Sequence, residues 1–321
     1  MAREPLRLTP PAIVVHGGAG SWESGDLEIA LREVMRAAEA GLEAARTGSS
    51  VDMVVEAVAY MEDSGLFNAG LGSTLDFEGH VTMDAAVMRG RDMRAGGVAG
   101  VTYPRNPIRL ARLVMERTPH VLLVGHWADA LASRLGLAKH PGPSQRALER
   151  WRKLKESGGG GDRLYAEWLR MARGLGYDTV GAVAVDADGV TAAAVSTGGV
   201  TLKLPGRVGD SPIVGAGLYA DARTAFSATG VGEYIISVGL SLRAAITYEA
   251  KGDIVAAVEE PLSLLTRLFG PGTAGLIGVS ARGEAWASFN TKAMPWAALD
   301  SAGKKGPDAG PQGSLKRPVG V

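Results

Sequence analysis

Residues 178–232 gather the side chains with the most chemical promise: Thr179, Thr197, Thr229, an Arg207/Asp210 pair and repeated glycines. Thr179 stands behind a glycine run, Gly158–Gly161, and just ahead of an apolar stretch that reads as a buried strand. A chain cut before Thr179 would give that residue a hydroxyl and a free α-amine together. A free α-amine titrates near ~7.7–8.0, so it can act as base for its own hydroxyl without any histidine. The competing reading is an ordinary β-strand threonine, and spacing alone leaves both open. Arg207 and Asp210, with Gly209 between them, could hold the carboxylate and the ammonium of an amino acid. A surface salt bridge between near neighbours is the plainer alternative.

Other chemistries find less support. There is no cysteine, which removes disulfides, thiolate metal sites and cysteine nucleophiles. The five histidines, at 16, 80, 120, 126 and 140, show no i, i+4 pair of the zinc-helix kind and read as structural. No Gly-x-Ser-x-Gly elbow is present for a Ser-His-Asp hydrolase. Residues 213–220, IVGAGLYA, imitate a dinucleotide fingerprint, but no helix pattern opens there. His16-Gly17-Gly18-Ala19-Gly20 is a glycine turn before a helix, without the lysine of a phosphate loop.

The elements that must carry these residues can be read in outline. AIVVHGGAG (12–20) is a short buried strand entering a glycine turn, and Asp26 is placed to cap a helix over about 27–46. A second helix covers 51–62. Residues 66–90 predict a glycine-rich loop and a hairpin turned at Glu78-Gly79. Helical patterning at 107–117 and 126–135 flanks an apolar stretch, Val121–Val124. Residues 180–199 form two β-runs joined around Asp188-Gly189. Helices follow at 231–248 and 253–268, and a last strand pair at 275–290 turns at Arg282-Gly283. Hairpins and helices mixed in both halves predict a layered α+β sandwich, sheets inside and helices outside. From about residue 300 the tail is poor in apolar residues and is expected to be disordered.

Composition narrows the class. The 34 Lys plus Arg balance 34 Asp plus Glu, which argues against nucleic acid or an anionic membrane as partner. No signal-peptide pattern and no apolar run of membrane-spanning length is read, so the expected compartment is the cytoplasm. Asn occurs only three times and Gln twice, which fits a hot habitat or GC-rich coding equally.

In order along residues 12–295 the chain carries VVHGGAG (14–20), LFNAGLGS (66–73), MDAAVM (83–88), AGGVAGV (95–101), NPIRLAR (106–112) and VMERTPHVLLVG (114–125). It continues with DTVGAVAVD (178–186), STGGVTLKLPGRVGDSPIVGAGLYA (196–220), ATGVGE (228–233) and ASFNT (287–291). With these blocks it resembles the plant-type L-asparaginase and isoaspartyl peptidase family of N-terminal-nucleophile hydrolases. The resemblance implies a four-layer αββα sandwich and a precursor that cuts itself between Asp178 and Thr179. It implies an α chain of residues 1–178, ending in the glycine-rich linker, and a β chain of residues 179–321, together forming one domain. Thr179 then matches the nucleophile and Thr197 its supporting hydroxyl. Thr229 and Gly230 match the oxyanion hole, Arg207, Asp210 and Gly232 the substrate contacts, and Asn68 a residue close to the nucleophile. The main-chain carbonyls of Met61, Glu62, Ser64, Phe67, Ala69 and Leu71 match a structural sodium loop; no cofactor is implied for catalysis. The implied reaction is hydrolysis of L-asparagine or β-aspartyl dipeptides, releasing L-aspartate, by a dimer of αβ heterodimers. Glycosylasparaginases, threonine aspartases and a non-catalytic binding protein of this fold are the alternatives.

The chain also departs from the family pattern. Asp178 stands where many members have glycine, Leu71 and Leu202 replace residues that are often polar, and Trp127 replaces a small one. None of these removes a catalytic group.

Overall fold

The run Ala12–His16 is buried at every position, so it belongs inside a sheet covered on both faces. It forms β2 in the computed structural model, which describes residues 4–22, 24–157, 179–303 and 305–306. The sheet around it has eight strands. In spatial order they are β13 (Lys305–Gly306), β12 (Trp296–Asp300), β2, β6 (Val180–Val185), β7 (Thr191–Thr197), β3 (Met83–Arg89), β4 (Arg94–Val101) and β5 (Leu122–Val124). A second sheet has five, in the order β1 (Leu6–Arg7), β11 (Glu284–Phe289), β10 (Ala274–Ser280), β9 (Thr224–Gly230) and β8 (Leu218–Ala220). Among the described strands β4 and β5 pair in parallel and the other strand pairs are antiparallel.

Side chains alternate across each strand, and the alternation sorts the core. Ile13 and Val15 of β2 pack with Val34 of α1 (Ser24–Ala44) and with Met53 and Val58 of α2 (Ser50–Ser64). Ile108 and Leu110 of α3 (Pro107–Arg117) join the same cluster. Val14 points the other way and shares a second cluster with Val183 of β6, Ile277 of β10 and Trp296 of β12. Phe226 and Leu276, on β9 and β10, face a third cluster with Ala244 of α7 (Leu240–Lys251) and with Leu262 and Leu265 of α8 (Ile254–Phe269). The remaining described helices are α4 (Gly125–Arg134), α5 (Gln145–Ser157) and α6 (Gly232–Val238). The fold is therefore α+β, with helices and largely antiparallel sheets. Among the described residues no helix is long and apolar enough to cross a membrane.

Several boundaries differ from the sequence expectation for local reasons. The helix expected over 231–248 is two, because Gly239 adopts φ +62° and ends α6 before α7 begins. The hairpin at Glu78-Gly79 shrinks to one bridge, Leu75 with Val81. Asp26 lies inside the first turn of α1 rather than ahead of it, since the helix starts at Ser24. The IVGAGLYA segment opens no helix and ends in strand β8, as the reading against a nucleotide site requires. Lys305 and Gly306 still pair with β12, and Ser301 N donates to the Pro11 carbonyl; residues 304 and 307–321 of the tail and the Gly158–Gly161 run lie outside the described residues.

Candidate active site

Antiparallel register brings the first two threonines together. Val180 pairs with Ser196 at one end of the β6–β7 ladder, which sets the residue before β6 beside the last residue of β7. There the buried Thr179 hydroxyl donates to Thr197 Oγ1 at 3.2 Å. The same Thr197 oxygen accepts the Gly199 N–H at 2.9 Å, so the turn after β7 is folded back onto it. Asn68 holds that turn from below. Its Nδ2 donates to the Gly199 carbonyl at 2.6 Å, its Oδ1 accepts from Thr74 N at 2.8 Å, and its own carbonyl accepts from Gly198 N at 2.8 Å. Asn68 thus reaches the nucleophile candidate through Thr197 and its turn.

The other sheet supplies Thr229 and Gly230 at the end of β9. Thr229 is fully buried, and its Oγ1 accepts the Ala19 N–H at 3.2 Å, which leaves its own proton available for donation. Gly230 sits at φ +137°, and a Cβ there would run into the Thr273 carbonyl oxygen. Only glycine fits so close to a neighbouring backbone. His16, at the end of β2, is buried with Nε2 2.8 Å from Ser227 Oγ. Burial pushes its imidazole down to about 3, against the Thr179 backbone beside it, so it stays neutral and structural.

Thr179, Thr197, Gly199, Val200, Arg207, Asp210 and Gly230 line one small pocket. Arg207 and Asp210 do lie together, but the guanidinium fork does not close on Asp210. Arg207 Nε and Nη2 donate to the two carboxylate oxygens of Glu233, at 2.9 and 3.1 Å. Burial works against the Arg207 charge, yet Glu233, with Asp210 and Asp84 behind it, holds its pKa above the ordinary value. Burial likewise acts on Glu233, and Arg207 outweighs it, keeping that carboxyl below its usual range. Asp210 is fully enclosed, and burial pushes its carboxyl up to about 7 despite Arg207. Its Oδ2 has no hydrogen-bond partner among the described residues. Gly232 lies close against this pair: a Cβ there would stand 2.7 Å from Arg207 Nη2 and 3.0 Å from Asp210 Oδ1. The surface salt bridge weighed for Arg207 and Asp210 is therefore not what forms. The residue that sequence reasoning missed is Glu233, quoted inside ATGVGE but given no part in the site.

The loop after α2 is wound tightly enough to suit a main-chain cation site. A Cβ on Gly70 would stand 2.6 Å from the Glu62 carbonyl oxygen, and one on Gly72 would meet the Phe67 carbonyl oxygen. The Glu62 side chain is buried with Oε1 accepting from Ser196 Oγ at 2.6 Å and Ile108 N at 3.1 Å, while Oε2 is unpartnered among the described residues. Three of the implied carbonyls already accept hydrogen bonds: Met61 from Ser64 Oγ and Phe67 from Ala69 N, both at 2.8 Å, and Ala69 from Gly72 N at 3.1 Å. The tight winding of this loop and the unpartnered Glu62 Oε2 are compatible with the main-chain sodium site that the family resemblance implies. Elsewhere among the described residues, no group of three or more His, Asp or Glu converges as a metal site.

A family model described as asparaginase matches residues 9–306. The chain belongs to the asparaginase family. A plant-type L-asparaginase of Pyrobaculum calidifontis is 51% identical over 287 residues, covering 88% of this chain and 94% of the relative. A plant-type L-asparaginase of Pyrococcus horikoshii is 41% identical over 304 residues, covering 93% and 99%. The human isoaspartyl peptidase/L-asparaginase is 42% identical over 295 residues, covering 90% and 92%. Family membership gives the buried Thr179–Thr197 pair and the Arg207–Asp210–Glu233 cluster a common context.

Proposed function

We propose that this chain hydrolyses L-asparagine and β-aspartyl (isoaspartyl) dipeptides after cutting itself between Asp178 and Thr179. The observation that carries the reading is the single pocket lined by Thr179, whose hydroxyl is seated on Thr197, together with Arg207 and Asp210. Cleavage frees the Thr179 α-amine, which takes the proton of its own hydroxyl as Oγ1 attacks the side-chain carbonyl carbon of the substrate. The carbonyl oxygen becomes an oxyanion held by the Thr229 hydroxyl and by Gly230, an effect worth ~3–4 kcal/mol per donor. The C–N bond then breaks, the amine passes its proton to the leaving nitrogen, and ammonia or an amino acid departs. Water attacks the ester, the Thr179 Oγ1–carbonyl bond breaks, and L-aspartate and free Thr179 are restored. Arg207 takes the substrate α-carboxylate and Asp210 its α-ammonium.

The finer architecture belongs to the same reading: a four-layer αββα sandwich, supported by the three apolar clusters that separate helix, sheet, sheet and helix. So do a structural sodium ion, a dimer of αβ heterodimers and a cytoplasmic setting. The decisive assay incubates purified protein with L-asparagine and with a β-aspartyl dipeptide, following ammonia and amino-acid release. Release from at least one, by protein whose new N-terminus is Thr179, is expected. Full activity from an uncut chain overturns the mechanism.

A further inference from the structure

Arg207 presents two edges for bidentate recognition, and they are not in the same situation. The side edge, Nε with Nη2, is taken by the Glu233 carboxylate. The end edge, Nη1 with Nη2, lies among glycines: a Cβ on Gly209 would stand 2.7 Å from Nη1, and one on Gly232 would stand 2.7 Å from Nη2. Bare backbone on both flanks keeps that edge open toward the pocket that Arg207 lines. A planar guanidinium can serve two carboxylates at once, one on each edge, because its donors lie in one fixed plane.

Rotation is what a long side chain would otherwise lose on binding. A free arginine carries about 2 kcal/mol of rotamer entropy, and its plane must be set before a carboxylate can be gripped by two parallel bonds. Glu233 stands in the first turn of α6, where the positive end of the helix dipole favours a carboxylate. The Arg207 side chain is 13% exposed and that of Glu233 46%, so the pair closes the outer side of the pocket with Glu233 toward solvent.

We propose that Glu233 is a positioning residue for substrate recognition, occupying the side edge of Arg207 so that the end edge is fixed for the substrate α-carboxylate. It does not touch the reacting atoms; it acts through Arg207. This rests on the hydrolase reading above and adds a member to the site that reading describes. A second consequence follows from charge. Asp210 is faced by Arg207, Glu233 and Asp84, of which the two carboxylates oppose its ionisation. Neutralising Glu233 should make Asp210 easier to ionise.

The test compares wild type with Glu233→Ala and Glu233→Gln, each processed to Thr179, in steady-state hydrolysis of L-asparagine between pH 5.5 and 8.5. KM should rise about tenfold in Glu233→Ala and less in Glu233→Gln, which keeps one acceptor, with kcat falling by a smaller factor. The midpoint of the KM–pH profile should move to lower pH in both variants. A fall in KM would show that Glu233 competes with the substrate carboxylate and must leave, which overturns the proposal. Unchanged KM with an unchanged pH midpoint also overturns it, as does an equal loss in kcat alone. Wild-type protein without turnover would instead defeat the hydrolase reading. Should Glu233→Ala fail to fold, Glu233→Gln carries the same three readouts.

Discussion

At the Thr179 end of the pocket the polar groups are neutral and already engaged with one another. Thr179 sits on Thr197, Thr197 accepts from Gly199, and Gly199 is tied to Asn68. At the Arg207 end three charged groups are crowded together, and one buried oxygen of Asp210 has no partner among the described residues. The first end is set by β-sheet register and by backbone bonds, so its geometry is paid for in folding. The second end is left electrostatically incomplete, and in the proposed binding mode a substrate ammonium completes it. Chemistry that makes and breaks covalent bonds needs fixed distances, whereas discrimination between ligands needs groups that gain something when the right ligand arrives.

The largest effect that could break this comparison is at Thr179, the proposed nucleophile. Thr179→Ala should remain a single chain on a denaturing gel and show no measurable hydrolysis, while its melting temperature changes little. Next comes Gly230→Ala. A Cβ there meets the Thr273 carbonyl, at a φ that L-residues avoid, so kcat should fall by about a hundredfold through loss of oxyanion support. Arg207→Ala acts on the opposite end. Charge-assisted contacts are worth ~1.5–3 kcal/mol, so kcat/KM should fall roughly ten- to a hundredfold or more, with self-cleavage far less affected. Equal damage to self-cleavage from Arg207→Ala would erase the division between the two ends.

A pH series separates them without any mutation. In the proposed binding mode only ionised Asp210 pairs with the α-ammonium, and its carboxyl is pushed up to about 7. KM for L-asparagine should therefore rise as pH falls below about 7, by up to about tenfold per unit. His16, held near 3 by burial, should add no inflection between pH 5 and 8. Stability should run the other way. A carboxyl whose folded pKa is raised binds more protons in the folded than in the unfolded state between about 4 and 7, so its contribution declines as pH rises through that window. Asp210→Asn should accordingly melt higher than wild type at pH 8 while binding substrate poorly. A lower melting temperature at pH 8 would mean that the buried charge is compensated within the protein.

Much of the fold was legible because alternation and turn chemistry were strong. The β6–β7 hairpin turned at Asp188-Gly189, and β10–β11 at Arg282-Gly283, where glycine takes positive φ in each. Periodicity could not see that Gly239 would take the left-handed conformation and split one helix into α6 and α7, since glycine inside an apolar pattern is compatible with either outcome. Thr179 and Thr197 stood out through motif resemblance, and the β6–β7 register explains why they meet. Glu233 was not, because a glutamate in a first helical turn is ordinary. Its significance comes from where Arg207, 26 residues earlier, turns its fork.

Asn68 gives the smallest and most discriminating test, because it belongs to the Thr179 end yet its hydrogen bonds among the described residues go to the Gly198–Gly199 turn and Thr74 rather than to Thr179. Replacing it with alanine removes the bonds to the Gly199 carbonyl and the Thr74 N–H, and keeps the main-chain bond from Gly198. Each lost side-chain bond costs about 1 kcal/mol of stability, so a drop of a few degrees in melting temperature is expected. The turn after β7 would still follow Thr197, but the Gly199 N–H that shares the Thr197 oxygen would be less firmly placed. That loosening reaches the reaction at second hand, so kcat should fall roughly fivefold, a smaller loss than deleting an oxyanion donor. KM for L-asparagine should stay within about twofold of wild type, because Arg207, Asp210 and Glu233 are untouched. Asn68→Asp sharpens the point by keeping an acceptor for Thr74 while losing the donor to Gly199. A rise in KM without loss of kcat would place Asn68 with the charged end, and the separation of the pocket into a fixed end and an incomplete end would fail.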